Sequence, residues 1–272
     1  MTLAITTDTT ALQQLAHAVV AADPVRNTVF GAIAFGAGQD DAAGWAAQPD
    51  HDPGLLVARS QPYTAVTFTC GWPLDRLDEV AAALADLDPP PAAVAGPTDT
   101  VEYIAAALHC SVTSRMDERL FQLDELDTPI DVPGSARLAE TSDAGFLAEW
   151  YTAFAIEAFG RLPPGFDARK MVERGVVRSR AWLWLDDRGE PRSFAVRHPA
   201  VSGAARIGPV FTPVPFRGHG YGSAATAAAT QDILDDGATP CLFTDLSNPT
   251  SNRIYQALGY RPVLDRTMLR FD

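Results

Sequence analysis

"FRGHGYGSAATAAATQDIL", residues 216–234, holds an arginine, three glycines at alternate positions and then a run of small residues. Glycine inside a regular element costs about 0.5–1 kcal/mol relative to alanine, so three within five residues point to a close approach to the backbone. The small residues predict a helix from about Gly220 to Asp236, stopped by Gly237. A helix start offers unpaired N–H donors and a partial positive charge, and phosphate is the group most often held there.

The segments around this loop read as alternating strands and helices. Before it, "ARLAE" is a strand, and "TSDAGFLAEWYTAFAIEAFG" is one or two helices, capped at Thr141 or Ser142 and ended by Gly160. "DARKMVERGVVRS" is a further helix. "RAWLWLDDRGEPRSFAVRHP" is a hairpin about Asp-Arg-Gly, and "AARIGPVFTP" is a third strand of that meander. After the loop come a strand, "PCLFTDL", then a helix, "PTSNRIYQALG", with Asn248 as cap and Pro249 at its first position. "YRPVLDRTMLRF" closes the chain as a strand pair.

"LDELDTPIDVPGSARL", residues 123–138, has the two prolines, glycine and serine of a linker, so domains are expected at 1–130 and 131–272. The first half repeats the order of the second more faintly: helix, helix, strands, helix, strand, helix, strand. "TALQQLAHAVVAAD" and "PLDRLDEVAAALADLD" are its clearest helices. "AVTFTC" and "AAVAG" are strands, "TDTVEYIAAALHC" is a helix capped by Thr98 or Asp99, and "SVTSRMDERLFQL" is a closing strand.

With this order, Arg217-Gly218-His219-Gly220-Tyr221-Gly222 resembles the pyrophosphate loop of the GNAT superfamily of N-acetyltransferases: Gln or Arg, two free positions, Gly, one free position, then Gly or Ala. "NPTSNRIYQALGY" is similar to that family's last helix. The resemblance covers residues 135–272; the first half shares only the element order and lacks an Arg-x-x-Gly-x-Gly. It implies an α/β (α+β) fold of two tandem GNAT-like domains, each a mixed, mostly antiparallel sheet flanked by helices, the first a degenerate copy. It further implies acetyl-CoA as cosubstrate and a small-molecule primary amine as acceptor, joined by direct attack in a ternary complex.

A dinucleotide loop is the rival, because Gly220 to Ala225 also fits G-x-G-x-x-A and Asp245 stands 25 residues after Gly220. Three features oppose it. Pro213 and Pro215 separate strand from loop, only 50 residues follow Gly222, and the preceding segment reads as an antiparallel hairpin.

The resemblance assigns the site residue by residue. Gly218, His219, Gly220, Tyr221, Gly222 and Ser223 hold the pyrophosphate, with Arg217 either on a phosphate or bracing the loop. Val210, Phe211 and Thr212 run beside the pantetheine arm, and a main-chain N–H there faces the oxyanion. Tyr255 takes the general-acid position in the context of "SNRIYQALGY", although alone it reads as a core aromatic beside Ile254 and Leu258. Asn252 bonds the cofactor, and Asn248 is either a ligand or simply the helix cap. The general base stays open between Glu157, Asp245 and a water chain. The acceptor side is expected at "EWYTAFAIEAFGRLPPGF", with Trp150, Tyr151, Phe154, Phe159 and Phe166 among Glu149 and Glu157, a composition that half-buried helices share.

Composition bounds the rest. At 272 residues, 47% hydrophobic and with no apolar run of 18, the chain is expected to be globular and to have no membrane span. Its N-terminus lacks a signal-peptide pattern, and Cys70, Cys110 and Cys241 are odd in number and scattered, so a cytoplasmic location with reduced thiols is expected. The five histidines show no ligand spacing, so no metal is expected. A net charge of −13 opposes nucleic-acid binding. The excess is confined to residues 1–130, with 18 acids against 5 bases, while residues 131–272 hold 16 of each. That acidic half reads as a soluble surface or an attractor of cations, and a homodimer is compatible with it.

Overall fold

The computed structural model describes residues 3–35, 44–49, 52–60, 65–160, 162, 167–170, 172–173 and 180–271. The expected helix at 167–179 lies largely outside them.

Two compact units divide the chain, and neither is a continuous stretch. The first is Met1–Leu120 with Thr244–Pro249 and Pro262–Asp272; the second is Phe121–Phe243 with Thr250–Arg261. The chain therefore parts elsewhere than at 130/131, and its last strand goes back to the first unit.

In the first unit the strands are β1 (Leu3–Thr6), β2 (Gly44–Pro49), β3 (Val57–Ser60), β4 (Ala65–Phe68), β5 (Ala93–Gly96) and most of β6 (Val112–Leu123). β1 to β4 are joined antiparallel in sequence order, and β4 then pairs parallel with β5. Helices Leu77–Ala85 and Thr98–Ala107 bury Leu77, Val80, Leu84, Val101 and Ile104 in one cluster with Trp45, Val57, Val66 and Phe68. Pro97, not Thr98 or Asp99, stands before the second of these helices, and no side chain caps it.

The second unit repeats the pattern. β7 (Ser135–Leu138), β8 (Arg180–Leu185), β9 (Pro191–Arg197) and β10 (Ala204–Phe211) are successively antiparallel, and β10 pairs parallel with β11 (Thr239–Asp245). Adjacent residues of β9 point to opposite faces. Phe194 joins Leu147 of helix Ala144–Phe159 in one cluster, while Ala195 joins Ala225, Ala229 and Ile233 of helix Tyr221–Asp235 in the other. The sheet is thus covered on both faces.

Local chemistry fixes these helices. Thr141–Asp143 is a single tight turn, and its cap is a reciprocal box between Glu140 and Asp143 rather than Thr141 or Ser142. Asp143 is buried, accepts two bonds from the Arg137 guanidinium and one from the Glu140 N–H, and its pKa is lowered chiefly by Arg137. The helix ends at Gly160 in the left-handed conformation, as its sequence indicates. Asp143→Ala is expected to cost about 2 kcal/mol in urea denaturation at neutral pH, because it removes the helix-start cap and the partner of the partly exposed Arg137. Because the folded pKa is depressed, that difference is present above the ordinary carboxylate range and fades as pH falls through the folded value.

Helix Tyr221–Asp235 lies on the sheet through Ala224, Ala225, Ala227 and Ala229, all buried, whose small side chains permit the close approach. Thr226 and Thr230 donate to the carbonyls four residues back, Gly222 and Thr226. Arg197 of β9 and Asp232 of the helix form a buried ion pair, extended by Arg180 and Asp236. The closing segment is one strand, β12 (Tyr260–Phe271), and not a strand pair. Pro262 and the charged Asp265–Arg266 suggest a break, yet Arg119 binds Asp265 and Glu118 binds Arg266, so the polar residues are satisfied within a continuous ladder.

Candidate active site

The two parallel strands of the second unit separate before they end. Their register runs from Ala204↔Thr239 to Ile207↔Leu242, whereas β10 continues to Phe211 and β11 to Asp245. Against β9, β10 shifts register between Ile207 and Val210, so Gly208 and Pro209 form a bulge. Beyond it Val210 faces Ala195 and Phe211 faces Phe194 again. The Phe211 carbonyl accepts from Ser193 Oγ at 3.0 Å, and the Thr212 hydroxyl lies 2.9 Å from Ser193 Oγ.

From Thr212 the chain turns through Val214–Phe216 into the glycine loop. Gly218 and Gly220 both have φ of 81°, a conformation that side-chain-bearing residues rarely adopt. The three glycines serve different ends. A Cβ on Gly218 would meet open space, one on Gly220 would lie 2.8 Å from Val132 Cγ2, and one on Gly222 would lie 3.0 Å from Thr212 Oγ1. Gly220 is also the N-cap of helix Tyr221–Asp235, whose first turn has neither a capping side chain nor an acidic residue. Those amides and the dipole behind them suit an anion, so the loop fits a pyrophosphate.

Comparisons with known proteins agree with this geometry. Residues 200–269 match the family model described as FR47-like protein. A GNAT-family acetyltransferase from Colwellia psychrerythraea is similar over 100% of both chains at 12% identity and a TM-score of 0.63. A tandem GNAT protein from the clavulanic acid biosynthesis pathway is similar over 98% of both chains, at 15% identity and 0.61. A GCN5-related N-acetyltransferase-like protein from Streptococcus suis matches 97% of this chain and 100% of its own, at 15% and 0.60. No curated protein sequence matches. The chain has the tandem GNAT fold.

Within that GNAT fold the expected residues fall as follows. Arg217 donates from Nε to the Thr212 carbonyl at 2.9 Å and from Nη2 to Glu157 Oε2 at 2.7 Å, so it braces the loop. Glu157, one candidate base, is thereby engaged, and Asp245, the other, accepts the Ser247 N–H at 2.7 Å. Ser223 lies in the first turn of the loop's helix, half-buried, and the His219 and Tyr221 rings stack 5.6 Å apart. Tyr255, on helix Pro249–Ala257, is buried in the cluster that also holds Ile207 and Leu242, the last paired residues before the strands part. Burial pushes its phenol up to about 12, so it is protonated throughout the neutral range. Asn252 lies one turn before it on the same helix, whereas Asn248 belongs to the Thr244–Pro249 segment of the first unit and donates its N–H to the Asp245 carbonyl.

Trp150 and Tyr151 stack near-parallel to Phe194, and Phe154 and Phe159 meet edge to face, so these aromatics pack mainly among themselves. Phe166 lies outside the described residues. Among the described residues no group of three or more His, Cys, Asp or Glu is placed to hold a metal ion, and no helix is long and apolar enough to cross a membrane.

The first unit of this GNAT pair treats the same positions differently. A Cβ on Gly96 of β5 would lie 2.9 Å from Phe68 Cβ, so β4 and β5 stay close to their ends. Where the second unit has its glycine loop, the first has the turn Leu74–Arg76, and its helix begins with Asp78 and Glu79. Acids in a first turn already satisfy the dipole and repel phosphate.

The sequence reading missed His198, just past β9, whose Nε2 lies 2.7 Å from the Gly208 carbonyl. Its signal was Gly-Pro inside a strand, which marks a bulge needing an outside partner.

Proposed function

We propose that the second unit is an N-acetyltransferase that binds acetyl-CoA at Arg217–Ser223 and passes the acetyl group to a primary amine of a small molecule by direct attack in a ternary complex. One conjunction carries the reading: a parallel strand pair that parts after Ile207↔Leu242 leads into a glycine loop at an acid-free helix start.

In this reading the amides from Gly218 to Ser223 take the pyrophosphate, with Arg217 keeping the loop in shape. Val210, Phe211 and Thr212 offer main-chain groups to the pantetheine arm as an added strand would. A main-chain N–H of this segment stabilises the oxyanion, and Tyr255 protonates the departing thiolate. Asn252 supports the cofactor, and Asn248 acts mainly as the helix cap. With Glu157 held by Arg217 and Asp245 held by the Ser247 amide, water is the favoured route for the amine's proton. The first unit supplies no second cofactor site, because its strands stay close and its helix start is acidic.

Calorimetric titration with acetyl-CoA, with NADH in parallel, tests the reading. One equivalent per chain with a Kd on the order of micromolar or below is expected, and no heat from NADH. Binding of NADH instead would overturn the assignment, and two equivalents of acetyl-CoA would overturn the role given to the first unit. Tight binding without turnover on any of a panel of amines would turn the reading to a non-catalytic acyl-CoA-binding module.

A further inference from the structure

We infer that His198 is a positioning residue of the coenzyme A site: by holding the Gly208 carbonyl it keeps the β10 bulge in place and the pantetheine slot open. The inference rests on the coenzyme A reading above. Gly208 has φ of 149° and Pro209 has no N–H, so this part of β10 cannot complete an ordinary ladder. A carbonyl displaced from its ladder needs another donor. His198 supplies it, from Nε2 at 2.7 Å, while its own main-chain N–H donates to the Arg206 carbonyl at 2.8 Å. One residue therefore grips β10 on both sides of Ile207, the last residue in register with β11.

Because a carbonyl only accepts, the proton is on Nε2. Burial first, and then the charge of Arg206, lower the imidazole to about 4, so this neutral donor persists through the neutral range. Without the imidazole, the Gly208 carbonyl is left to seek a donor elsewhere. The bulge is then free to relax, which shifts the Val210–Thr212 backbone beside the pantetheine slot but leaves the glycine loop untouched.

Two ligands separate these effects. Coenzyme A needs both loop and slot, whereas 3′-phospho-ADP, which lacks the pantetheine arm, needs the loop alone. In calorimetric titrations, His198→Ala is expected to weaken coenzyme A by about tenfold, as loss of one buried hydrogen bond would, and to leave 3′-phospho-ADP unchanged. His198→Gln, whose amide can donate to the same carbonyl, is expected to recover most of the loss and serves as the test if the alanine variant does not fold. Unchanged coenzyme A affinity in His198→Ala, or equal loss for both ligands, overturns the proposal. So does a glutamine variant that is folded by thermal melting yet no better than alanine. If the unaltered protein binds neither ligand, the coenzyme A reading itself has failed.

Discussion

Gly220→Val is expected to abolish coenzyme A binding, lowering affinity more than 100-fold on an order-of-magnitude estimate, while the protein stays folded. Two costs coincide at this residue. Its φ of 81° is strained for any L side chain and more so for a β-branched one, at about 1–3 kcal/mol. Its new Cβ would also lie 2.8 Å from Val132 Cγ2, so either Val132 or the loop must move. Gly220 and Val132 are both half-buried, and where the loop gives way the helix-start amides turn away from the anion. Gly189, in the β8–β9 hairpin, provides the control, with φ of 79° and nothing near its Cβ position. Gly189→Val meets the same backbone strain without touching the loop, so its coenzyme A affinity is expected to match the unaltered protein. Calorimetry on both variants, with thermal melting alongside, decides. Equal loss in both would mean that the glycines matter only for stability, and retained binding in Gly220→Val would remove the phosphate role from this loop.

Tyr255→Phe is expected to lower kcat by about 10²–10³-fold and to leave coenzyme A affinity within about threefold, since general acid catalysis is worth that much and the ring is retained. Steady-state kinetics with an amine from the panel, paired with calorimetry, separates the two readings of this residue. An unchanged kcat would make Tyr255 a core aromatic and no more. The same variant has a signature independent of turnover. Burial raises the phenol from 10.0 to about 12, so the native state keeps a proton that the unfolded chain releases. The stability that this difference carries is fully present below pH 10 and lost between about pH 10 and pH 12, amounting to about 3 kcal/mol. Urea titrations at pH 9 and pH 11 should show a smaller decline for Tyr255→Phe than for the unaltered protein.

The element order and the loop were legible because both depend on local spacing. The hairpin at Asp186–Gly189, the strand into Phe211, the helix closed by Gly237 and the αL stop at Gly160 all follow from residues close in sequence. Long-range partners were not legible. Nothing near Arg217 announces Glu157, 60 residues earlier, and so phosphate ligand and loop brace stood level until the ion pair was seen. The Glu140–Asp143 box was hidden because the cap's strongest partner, Arg137, comes from the preceding strand. β12 read as two strands for the same reason: its charges look like a turn until Glu118 and Arg119 of β6 stand opposite. Gly222 was only half-read, since a Cβ there would also press on the Thr212 hydroxyl, a contact that the spacing of the glycines does not announce.

The return of Pro262–Asp272 to the first unit bears on how the chain is made. β12 pairs with β5 from Thr267↔Gly96 to Arg270↔Ala93, and Leu269 and Phe271 enter the core of Trp45, Val66 and Val94. A ribosome therefore delivers the last piece of the amino-terminal unit only after every residue of the other unit has emerged. Until then β5 waits with an open edge, the kind of surface on which nascent strands from neighbouring chains pair. Emergence of Pro262–Asp272, rather than of the first 120 residues, is thus the event that completes the amino-terminal core.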